Sequence, residues 1–204
     1  LPTGTEFDYP TNIVNGRTAH SSCYMDSDKI VAAWDEPSTG GQVIIQTINT
    51  STQLPICQGV INYPVGVRDL EVGMLDGLLG TYNVFVAYHQ TGIGHRLQIF
   101  NWNPAACSYI LTSTTTLSSS GSYGRISMDS HLQYGLVIAW TNSDLGILES
   151  KLYNSAGGVL TNSVIHTFST TTDSEVDVAF SHPFQGDLTL NYVYLSNTLP
   201  GTPF

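Results

Sequence analysis

The chain has 204 residues, 11% of them charged, with six Lys and Arg against sixteen Asp and Glu and a formal net charge of −10. That balance argues against nucleic acid as a partner, because binding it takes clustered cations that release counterions, and it disfavours an anionic membrane surface likewise. No run of 18 apolar residues occurs, so no segment is suited to span a bilayer as a helix, and the Ser, Thr, Asn and Gly that carry the polarity supply turns and strand faces, which marks an all-β chain.

The N-terminal stretch LPTGTEFDYP lacks the basic segment and apolar core of a signal peptide. It reads as a mature end after signal removal, or as an arbitrary boundary. Export is the expectation, resting on the low-charge surface and on tracts such as TSTTTLSSSGS.

SSCYMDS follows as a first strand, then IVAAWD, apolar throughout and suited to a strand buried on both faces. The same phrase recurs as VFVAYH, LVIAWT and LNYVYL. Its aromatic anchors Trp34, Tyr88, Trp140 and Tyr194 are separated by 54, 52 and 54 residues. Each of the first three is followed by a turn and a more alternating strand, QVIIQTI, HRLQIFNW or LESKLYN. A third strand is expected around Pro55 to Ile61, Cys107 to Thr112 and Val159 to His166, and a fourth at RDLEVGM, GRISMDS and SEVDVAFS. Met25-Asp26-Ser27 is echoed by Met128-Asp129-Ser130 at the end of such a strand.

Four short strands in each period of roughly 52 residues argue for β-propeller blades, which bury their faces on one another. On this frame residues 29–74, 83–128 and 135–181 form three complete blades, and 188–194 with 21–27 form a partial one. The whole chain, 1–204, is then one propeller domain: a four-bladed ring closed by its two ends, or a fragment of a larger propeller. The anchors are expected on innermost strands, with Ala33, Ala87 and Ala139 small where those strands crowd together.

The segments MDS…LVIAW and VFVAYH…LQIFNW resemble the degenerate blades of secreted or cell-surface bacterial β-propeller repeat proteins, over most of the chain from Ser21 to Leu195. The resemblance implies a secreted or surface location and a binding scaffold. The paired Gly-His and Trp-Asp of WD-repeat blades are missing, Trp-Asp occurring once at Trp34-Asp35, and the Asp box of sialidases is absent.

Cys23, Cys57 and Cys107 show no metal-ligand spacing, and an odd count allows one internal disulfide at most. Cys57 and Cys107 fall at similar repeat positions, where neighbouring blades are expected to hold them too far apart to bridge, as buried free thiols. Asn49-Thr50-Ser51 matches the N-glycosylation acceptor.

A ligand site is expected on the loops that lead into the anchor strands, DSDK, LDGLLGTYN, DSHLQYG and SHPFQGD. His131 and His182 recur there with Asp129, Asp76 and Asp28. Neutral imidazoles and carboxylates could hydrogen-bond sugar hydroxyls or hold a divalent cation, and nothing else calls for a cofactor. Turn-capping by the Asp residues is the plainer role. No G-x-S-x-G elbow is present, and Glu71, Glu149 and Glu175 cannot be paired by sequence. The expected function is therefore a non-enzymatic module that binds a glycan or protein, such as a region of an adhesin. The alternative is a carbohydrate-active hydrolase or lyase.

Overall fold

The computed structural model describes residues 20–26, 29–36, 42–62, 67–77, 80–118, 125–131, 135–142, 145–167, 175–181 and 189–195. All regular structure among them is β, in fourteen strands. Sheet A holds β1 (His20–Asp26), β2 (Lys29–Glu36), β3 (Gln42–Asn49) and β4 (Pro55–Asn62). Sheet B holds β5 (Val67–Asp76), β6 (Tyr82–Gln90), β7 (Gly94–Asn103) and β8 (Ser108–Thr116). Sheet C holds β9 (Ile126–His131), β10 (Gly135–Asn142), β11 (Ile147–Tyr153) and β12 (Val159–Thr167), and sheet D holds β13 (Glu175–Ser181) and β14 (Thr189–Leu195). Every pairing is antiparallel between strands adjacent in sequence.

The repeat is real, but its hydrogen-bonded unit is offset by one strand from the frame read in the sequence. RDLEVGM, GRISMDS and SEVDVAFS do not close the preceding sheet; each opens the next one, pairing with the anchor strand that follows. Two residues join β1 to β2 and three join β9 to β10, lengths at which antiparallel strands form a hairpin, whereas nine separate β8 from β9. Connection length agrees with the offset at these two junctions but does not decide it throughout, since four residues lie between β4 and β5 against five between β5 and β6, and seven lie on either side of β13. The anchors accordingly lie on the second strand of each sheet.

Alternation of side chains sorts the core into layers between sheets. Val31, Ala33 and Ile45 of sheet A meet Val72, Val86 and Tyr88 of sheet B. Phe85, Ala87 and Leu97 on the other face of B meet Leu136, Ile138 and Trp140 of C. Val137 and Ala139 on the far face of C meet Val176 and Val178 of D. Ala33, Ala87 and Ala139 thus face the following sheet, and Tyr88 and Trp140 face the preceding one. Trp34, Tyr88 and Trp140 are all buried; Tyr194 pairs with Val176 through its backbone, and its side chain lies outside the described residues.

First strands run side by side along one margin: β5 packs beside β1, β9 beside β5 and β13 beside β9. The arrangement is a row of antiparallel sheets of repeated topology.

Candidate functional site

Three asparagines define one end of the row. Asn49, Asn103 and Asn154 stand at or just after the ends of the third strands, and each side-chain oxygen accepts backbone N–H bonds from the turn ahead: from Ser51 and Thr52, from Ala105 and Ala106, and from Ala156 and Gly158. These are Asx turns, in which the side chain replaces a backbone carbonyl. The loops named in the sequence reading open at the same end, because β1, β5 and β9 finish where the third strands finish.

Of the five residues expected to form the ligand site, Asp28 and His182 lie outside the described residues. Asp129 and His131, two apart and so on one face of β9, both turn toward Phe180 of β13. Asp129 Oδ2 accepts the backbone N–H of Phe180 at 2.7 Å and Oδ1 accepts that of Ser130 at 2.8 Å. The His131 ring meets the Phe180 ring edge-on at 6.2 Å. One turn of the pleat away, the Ser127 hydroxyl donates to Asp177 at 2.9 Å and accepts from the N–H of Val178 at 3.2 Å. Val178 and Phe180 present these N–H groups on the edge of β13 turned away from β14. Polar side chains of β9 therefore close that edge, and the Asp129 carboxylate has both oxygens committed to backbone. Among the described residues, no three His, Cys, Asp or Glu side chains converge as a metal cluster.

Asp76 is different. It ends β5, is exposed, and makes no hydrogen bond or ion pair with the described residues. Register places it beside Tyr82, Tyr82 beside Trp102, and Trp102 beside Tyr109, so one row crosses all four strands of sheet B. Trp102 is wholly buried, while Tyr82 and Tyr109 are partly open. Their rings lie against it at centroid distances of 5.1 and 6.1 Å. Tyr109 is fixed from the other side: its hydroxyl hydrogen-bonds Thr47 of sheet A, and its ring lies over Gly59, where an added Cβ would come within 3.0 Å. The sequence held a faint trace of this row, since Tyr82 begins one strand and Trp102 sits near the end of the next, but only the hairpin register brings them abreast.

A disulfide joins Cys57 of β4 to Cys107 in the turn before β8, with Cα atoms 5.2 Å apart. This overturns the free-thiol expectation. The outer strands of sheets A and B were expected to splay, yet Tyr109 packing on the bare backbone of Gly59 lets β4 and β8 approach.

The opposite end carries buried polar residues after Trp34, Tyr88 and Trp140: Asp35, then His89 and Gln90, then Thr141 and Asn142. His95 Nδ1 lies 2.7 Å from the Ser118 hydroxyl, which also accepts the His95 backbone N–H at 3.1 Å. A serine beside an imidazole is the start of a nucleophilic pair. Here both side chains are buried and the hydroxyl is spent on the hairpin, so the pair locks β7 to the segment after β8. Glu149 accepts from the Asn142 amide at 3.3 Å. Arg125 at the start of β9 pairs with Asp69 in the β5 bulge at 2.7 Å.

The chain matches no family model, no curated protein and no solved structure.

Proposed function

We propose that this chain is a non-catalytic binding module, exported from the cell and built as a β-propeller or a segment of one, that recognises a glycan or protein partner on a surface. The observation that carries this reading is the end of sheet B, where a carboxylate without a partner among the described residues stands beside a partly open tyrosine ring. Elsewhere at that end Asp129, Asn49, Asn103 and Asn154 hold backbone, so among the described residues Asp76 and Tyr82 are groups a ligand can reach.

Scaffold and location are argued separately. In a propeller β1, β5, β9 and β13 would line the axis, and the packing of each beside the next supports that geometry. A disulfide that links two different sheets persists in oxidising surroundings and is rare in a reducing cytosol. With the low-charge surface it favours secretion or display at the cell surface, in keeping with the resemblance to bacterial surface repeats.

The test is to present the folded chain to a glycan array and to immobilised surface proteins, with a glycosidase and lyase screen in parallel. Saturable binding without turnover is expected. Cleavage of a glycan by the purified chain would replace this reading with that of a carbohydrate-active enzyme.

A further inference from the structure

We propose that the end of sheet B is a platform for an uncharged pyranose, with Tyr82 as the stacking surface and Asp76 as the acceptor of sugar hydroxyls. The inference rests on the binding-module reading and gives it a site and a ligand class.

The geometry comes from strand register. Asp76 continues the alternation of Val72 and Met74, which belong to the core between sheets A and B, so it shares the side of the sheet on which Tyr82, Trp102 and Tyr109 lie. Directly paired residues on adjacent antiparallel strands have Cα atoms about 4.5–5.5 Å apart. Acceptor and ring are thus neighbours, close enough to engage one sugar.

Tyr82 is held from behind. The buried indole of Trp102 packs against it at 5.1 Å, and Trp102 is in turn backed by Tyr109, which is tied to Thr47. A ring fixed before the ligand arrives loses little entropy on binding. Its open face offers an apolar, electron-rich surface that suits the C–H face of a pyranose. Asp76 supplies the directional part, because a carboxylate accepts bonds from two vicinal hydroxyls and such charge-assisted bonds are the stronger kind.

Charge selects within the sugars. The row consists of Asp, Tyr, Trp and Tyr in a chain of net charge −10, and among the described residues the cation nearest it in the register is Lys29, which shares the B-facing side of β2 with Val31 and Ala33. Uronic, sialic and sulfated residues are repelled by that field, and neutral hexoses or pentoses are not. A peptide anchor would need a dry pocket around it, whereas an exposed carboxylate beside a partly open ring suits a polyol.

The experiment is affinity electrophoresis and calorimetry of the intact chain against four neutral polysaccharides, a β-glucan, a xylan, a mannan and a galactan, with pectate and heparin as acidic counterparts. Tyr82→Ala and Asp76→Asn should each weaken binding to a neutral polymer at least tenfold, and Tyr82→Phe should stay within about threefold. Leu145→Ser, an exposed change in the β10–β11 turn at the other end of the sheets, should leave binding unchanged. Near-ultraviolet circular dichroism of each variant guards against loss of fold, and Tyr82→Phe with Asp76→Asn keeps the test usable if Tyr82→Ala unfolds. Neutral-glycan binding that survives both Tyr82→Ala and Asp76→Asn would overturn the site and leave the binding module standing. Binding confined to pectate or heparin would overturn the ligand class. Absence of any glycan binding beside a captured protein partner would overturn the platform alone, and absence of both would remove the parent reading as well.

Discussion

At the scale of single residues, Tyr153 shows how burial is written into titration. Its ring packs against Phe85 at 5.6 Å between sheets B and C, its hydroxyl finds no hydrogen-bond partner among the described residues, and burial pushes its pKa up to about 12. The folded chain therefore holds the phenol proton more tightly than the unfolded chain does. That contribution to stability is fully present below pH 10 and is lost as pH rises from 10 through 12, by up to roughly 2–3 kcal/mol. Tyr153→Phe should be neutral or slightly stabilising at pH 7, since it removes an unpaired buried hydroxyl, and urea melts at pH 8 and pH 11 should show the variant losing less than the parent. An equal loss in both would assign alkaline sensitivity to other groups. Beside it, Gly135 opens β10 at a φ of +114°, with the Tyr153 carbonyl oxygen 2.1 Å from where a Cβ would sit. Gly135→Ala meets both a backbone conformation that L-residues avoid and a neighbouring main chain that cannot swing aside. A loss on the order of 3 kcal/mol is expected, measured as a shift in the urea midpoint.

Among the elements, the strands themselves were legible, because two-sided burial makes an anchor strand apolar along its length and Trp34, Tyr88 and Trp140 mark it. Their grouping was not. Met25-Asp26-Ser27 and Met128-Asp129-Ser130 look like one motif, yet Met128 pairs with Ile138, and the position that matches it in β1 is Ser22, paired with Ala32. The written likeness is three residues out of register, and the feature that does repeat, a side chain of one first strand reaching the next, has no fixed letter. In β9 it is filled by Ser127 and Asp129, which bond the edge of β13. Asp129→Ala should leave the Phe180 N–H without its charged acceptor and cost about 1–3 kcal/mol. Hydrogen exchange at Phe180 should quicken while β6 and β7 stay protected. Uniform quickening across sheet B would mean that Asp129 supports the whole row rather than the junction of C with D.

For the molecule as a whole, the candidate site was half legible. Asp76, at the end of β5, could be picked out from the segment that leads into the next anchor strand, whereas its neighbours Tyr82, Trp102 and Tyr109 belong together only through hairpin registers that no spacing rule fixes. The histidines drew attention by recurring; the His131 ring lies against Phe180, and His182 lies outside the described residues. Covalent linkage was misjudged. Equivalent positions in adjacent sheets diverge with distance from the first strands, unless a residue such as Gly59 lets the outer strands close. The Cys57–Cys107 bond closes a loop across sheets A and B, so the unfolded chain loses more freedom to it than the folded one. Replacing both cysteines by serine should lower stability by about 2–4 kcal/mol. The change should also be local, because Tyr109 remains bonded to Thr47 and the cores between B and C and between C and D contain neither cysteine. Hydrogen exchange in the double variant is expected to rise in β4 and β8 and to hold steady in β10 and β11. Undiminished protection of β4 and β8 would show that Tyr109 seated on Gly59 holds the two outer strands together without the covalent link.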